Sequence, residues 1–125
     1  MKNTIIKKAL LIAALCSIGQ FALAQADAPK TIAGIVTNLS HLPSAEQKAT
    51  LTKIGSNKKN SAAIQTIATV VHNFQHAVTP EDKAKLEAIT ADASATAAEK
   101  ELAAIVAGFN HTVTDEAKAR LAKIK

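Results

Sequence analysis

The sequence predicts an all-α domain: three copies of a 35-residue helix-turn-helix unit (an αα-hairpin) forming a small helical stack or bundle. Three observations lead there. From residue 31 onward the chain matches itself at a constant offset of 35, without a gap. Within each match, apolar residues recur at i, i+3, i+4 and i+7, the spacing of one helix face. The composition is also that of a helical protein, with four Gly, three Pro, three Phe and neither Trp nor Tyr in 125 residues. So few aromatics argue against a β-sandwich, and so little Gly and Pro against a collagen-like or disordered chain. A chain of this length is bounded to one domain.

Residues 1–24 read as a signal peptide. Lys2, Lys7 and Lys8 make a basic start, Ala9 to Ile18 an apolar run, and Ala22-Leu23-Ala24 a small-x-small cleavage site. The run is broken by Gln20 and falls short of the ~20 apolar residues that a membrane-spanning helix needs. Cleavage therefore leaves no stable membrane anchor and a single domain over residues 25–125, periplasmic or secreted. Leu15 before Cys16 is a poor fit to lipoprotein processing, and Cys16 departs with the signal, so no thiol remains. Removing three of the 15 basic residues leaves 12 against 10 acids, a net charge of +2. That dispersed excess is no electrostatic footprint for nucleic acid.

The copies span about residues 31–54, 66–89 and 101–124. His41, His76 and His111 share the offset, as do Leu51, Leu86 and Leu121, and Glu46, Glu81 and Glu116. In each first helix the apolar stripe is Ile32, Ile35, Val36 and Leu39, then Ile67, Val70, Val71 and Phe74, then Leu102, Ile105, Val106 and Phe109. The two Phe on these stripes read as packing. Pro43 restricts Leu42 away from helical angles, so the first helix is expected to run up to His41 and stop there.

Each second helix opens at an N-cap residue, Ser44, Thr79 or Thr114. Ser44 with Gln47 has the capping-box pattern, and Pro80 stands at the first helical position, where its missing N–H costs nothing. Acids fill the first turn, opposite the positive end of the helix dipole. Gly55 to Asn60 reads as a loop. The second junction, Ala91 to Ala95, holds neither Gly nor Pro, so residues 80–111 read either as one long helix or as two, with Thr96 and Glu99 capping the second. The period lies near that of tetratricopeptide repeats, whose Trp, Gly and Tyr pattern is missing.

The histidines are the first candidates for chemistry. On a helix, His72 and His76 at i and i+4 share a face and can chelate Zn²⁺ or Cu²⁺ in neutral form. The string has the spacing of a zincin motif, but Asn73 or Phe74 stands where the catalytic Glu is required. His41, His76 and His111 lie opposite the apolar stripe, where a histidine in the last turn can also serve free carbonyls. In an open stack these three stand about 8–10 Å apart, too far for one ion. Only closure about a pseudo-threefold axis would bring them together. Ser40 beside His41 cannot face it on a helix, and no phosphate loop is present, so no catalytic residue is expected. The sequence points to an exported, non-enzymatic, chaperone- or adaptor-like protein that binds protein or peptide partners in the cell envelope. The alternative is a periplasmic metal-binding protein using His72 and His76, with His41 and His111 as further ligands. No cofactor is expected; Zn and Cu are the candidates if one is held.

Overall fold

The protein is all-α. A computed structural model describes residues 27–124; the signal segment, its cleavage site and Cys16 lie outside the described residues. Among the described residues six helices follow one another: α1 (helical from 27 to 37), α2 (Ala45–Ser56), α3 (Ala62–His72), α4 (Pro80–Ala91), α5 (Ala97–Ala107) and α6 (Asp115–Leu121). Extended pairing among the described residues is confined to isolated bridges, and no described helix is long and apolar enough to cross a membrane.

Local chemistry sets the helix starts. The side-chain oxygens of Ser44, Ser61, Thr79, Thr96 and Thr114 each accept a backbone N–H three residues on, and Ser44–Gln47 and Thr96–Glu99 close reciprocal capping boxes. The second junction is therefore broken. Residues 92–95 form a turn, tied by the Asp92 carboxylate accepting from the Ser94 N–H and hydroxyl, and α4 and α5 are separate helices.

One apolar cluster holds the helices together. Ile32, Val36, Leu51, Ile67, Val71, Leu86, Leu102 and Val106 are wholly buried in it. Phe74 and Phe109 stack face to face with centroids 4.7 Å apart, while Leu39 is buried at the corresponding place in the first copy. Beneath α3 and α5, Ser61 donates to the buried Glu99 carboxylate, which also accepts from the Thr96 N–H. One carboxylate thus links the starts of two helices 35 residues apart.

The tightest helix pairs differ from those expected. α2 packs chiefly on α3, and α4 on α5, while α3 and α4, the expected hairpin of the second copy, touch more lightly. The connectors explain this. Residues 57–61 and 92–96 are short capped loops that fold a helix back on its predecessor, whereas residues 73–79 leave α3 through a longer, partly extended path.

Candidate functional site

The three seven-residue connectors, residues 38–44, 73–79 and 108–114, meet at one end of the described structure. The helices before them end earlier than expected, at 37, 72 and 107, with Asn38, Asn73 and Gly108 next. Leu39, Phe74 and Phe109 then drop into the core, and the chain turns through His41, His76 and His111. All three histidines have positive φ, at 66°, 74° and 65°, and no other non-glycine residue among those described does. Leu42 N–H donates to the Ser40 carbonyl at 2.8 Å and Thr112 N–H to that of Asn110 at 2.7 Å. A bond from residue i+2 back to i across a positive-φ residue is the γ-turn of the rarer, strained kind.

The backbones of these turns bond in a cycle. His41 N–H donates to the His111 carbonyl at 3.0 Å, His76 N–H to His41 at 3.0 Å, and His111 N–H to His76 at 2.7 Å. Isolated bridges between Ser40 and Thr112, and between Ala77 and Asn110, flank the cycle. Each histidine amide thus finds its partner in a turn distant in sequence.

The cycle gathers the three imidazoles. Ring centroids lie 5.4 Å apart for His41–His76, 5.9 Å for His41–His111 and 5.8 Å for His76–His111, with the ring planes steeply inclined to one another. All three residues are solvent-exposed. The Nδ1 of His111 stands 3.4 Å from the His76 carbonyl oxygen, which can only accept. As the rings are placed, no group of three or more His, Cys, Asp or Glu among the described residues is set to hold a metal ion.

His72 and His76 do not share a helix face. α3 ends at His72, and His76 lies beyond Asn73 in the positive-φ turn. The half-buried His72 has its Nδ1 3.0 Å from the Asn73 Oδ1 and lines a groove with Leu51, Gly55 and Thr69. The reason is the early helix stop: Asn38, Asn73 and Gly108 recur at the offset of 35 and are residue types that mark helix ends. That signal was available in the sequence. The cyclic backbone pairing had no local signal.

None of residues 38–44, 73–79 or 108–114 is Asp, Glu, Lys or Arg. Leu42, 49% exposed, is the large apolar side chain most open to solvent among the described residues, and it lies beside His41. Charges begin outside this disc, with Glu46, Glu81, Asp82, Asp115 and Glu116 in the first turns of α2, α4 and α6. Asp82 is paired with Lys85 at 3.0 Å. Both perturbed carboxylates belong elsewhere. Asp92 is held below its ordinary value by hydrogen bonds from Ser94, and Glu101 by the Arg120 guanidinium that joins α5 to α6. No protein-family model, curated protein or solved structure matches the chain.

Proposed function

We propose that the chain is an exported, non-enzymatic, chaperone- or adaptor-like protein that docks a protein or peptide partner of the cell envelope where its three histidine turns meet. In this reading the three 35-residue helix-turn-helix copies close about a common axis, and the turns form the apex of the resulting bundle. Export rests on the three-part pattern of residues 1–24.

The exposed Leu42 within a disc that holds no charged residue carries the proposal. One residue in five of this chain is charged, so three neighbouring seven-residue connectors free of charge make a distinct surface. Depletion of charge at the centre with charge at the rim is the pattern of protein interfaces. Three similar turns side by side also let weak contacts add.

A photoreactive amino acid at Ser40, on the apex, compared with one at Ser94, in the loop at the far end of α4, tests this in the source cell. Irradiation is expected to give a discrete adduct from position 40 and none from 94. Equal labelling from both ends, or no adduct from the apex, overturns the proposal.

A further inference from the structure

We propose that His41, His76 and His111 together bind one divalent transition-metal ion of the kind that favours imidazole, Zn²⁺, Cu²⁺ or Ni²⁺, with His72 taking no part. The observation behind this is separate from the one behind partner docking. It is the meeting of three imidazoles, from turns 35 residues apart, on one backbone hydrogen-bond cycle.

Distance is the first support. Zinc sits about 2.0–2.1 Å from each imidazole nitrogen. For three rings at tetrahedral angles this places the centroids about 5 Å from one another. The observed separations of 5.4, 5.8 and 5.9 Å exceed that by less than an ångström. The rings do not yet converge on one point. Their side chains are exposed, and turning about the first two side-chain bonds takes picoseconds to nanoseconds. The slow part, bringing three distant positions together, is already done by the backbone.

The choice of residue is the second support. A positive-φ position is occupied most cheaply by glycine, and of the other residues Asn, Asp and His are found there most often. All three turns carry histidine instead. The backbone cycle uses only N–H and C=O groups, which glycine would supply as well, so it gives no reason for an imidazole.

A third observation concerns one ring: the His111 Nδ1 stands 3.4 Å from the His76 carbonyl oxygen, and an Nδ1–H kept on that side as the ring turns leaves its Nε2 lone pair for a metal. Three imidazoles on one face leave at least one coordination position toward solvent, filled by water or by a donor from whatever docks there. Zinc, copper and nickel all accept imidazole readily, whereas Mg²⁺ and Ca²⁺ select oxygen, so those two are not expected to bind.

The purified protein is stripped with EDTA and titrated calorimetrically with ZnSO₄, CuSO₄, NiSO₄ and MgSO₄ alone. One site per chain is expected for Zn²⁺, Cu²⁺ or Ni²⁺ and none for Mg²⁺. His41→Gly/His76→Gly/His111→Gly, which suits the positive φ, is expected to keep its helical circular dichroism and lose the site; His72→Ala is expected to keep it. In the unsubstituted protein, the ring-proton resonances of the three histidines should move with metal while those of His72 stay, a readout that survives if the triple variant fails to fold. No binding, binding that persists in a folded triple variant, or loss of the site in His72→Ala overturns the proposal. Repeating the Ser40 crosslinking in EDTA separates the two readings, since docking on the apex needs no metal.

Discussion

At the scale of the residue, the informative positions are those where local preference is overruled. His41, His76 and His111 hold positive φ on the backbone cycle, a conformation that histidine adopts more often than most residues but that glycine adopts at least cost. At His76, glycine should fit at least as well: His76→Gly is expected to leave stability within about 1 kcal/mol of the parent. His76→Val, whose branched side chain tolerates positive φ worst, should lose about 1–3 kcal/mol. Urea midpoints for the two variants check the ranking, and a valine variant as stable as the parent would mean that the turn can relax. The same residues show where sequence reading ran out. The spacing of the histidines was visible, and with it the condition that only a closed arrangement would unite them. Their conformation was not visible, because it depends on carbonyls 35 or 70 residues away.

At the scale of the element, the helical class, the starts of α2, α4 and α6 and the apolar stripes were legible, because caps and stripes are local chemistry. The expected caps at Ser44, Thr79 and Thr114 accept from the backbone N–H groups of Gln47, Asp82 and Ala117, in the first turns of their helices. The stripe residues Ile67, Val70, Val71 and Phe74 are all buried, although Phe74 lies past the end of α3. Thr79→Ala should therefore cost about 1 kcal/mol by thermal or urea melting. Thr52→Ala, on the exposed side of α2, should be neutral or slightly favourable, since alanine is the better helix former. Equal costs at the two sites would mean that the cap contributes nothing. The lengths of α1, α3 and α5 were overestimated because the apolar period continues through Leu39, Phe74 and Phe109 after helical geometry has stopped. Burial, not helicity, kept those residues in phase.

At the scale of the whole molecule, one core shared by all the helices implies a single cooperative unit. Leu86 is wholly buried on α4, and Leu86→Ala should cost about 2–5 kcal/mol. The loss should appear as one shifted transition, with near- and far-ultraviolet signals moving together; separate transitions would show copies melting independently. The Arg120–Glu101 pair adds a small, acid-sensitive tie between α5 and α6. Because Glu101 titrates lower in the folded chain, the tie is fully present above the ordinary carboxylate range and is lost as pH falls through the lowered value. Solvent exposure keeps its contribution modest.

The three turns share a positive-φ histidine but differ on either side of it: Ser40, Gln75 and Asn110 stand before it, and Leu42, Ala77 and Thr112 after it. Under the proposed closure of the three copies about a common axis, a lopsided visitor would find three poses related by one-third rotations. Were they equivalent, that choice alone would be worth roughly 0.6 kcal/mol of orientational entropy, RT ln 3. Leucine, alanine and threonine remove the tie. In the proposed docking, the pose that covers Leu42 gains more apolar contact than those that cover Ala77 or Thr112, so a guest would be held one way round.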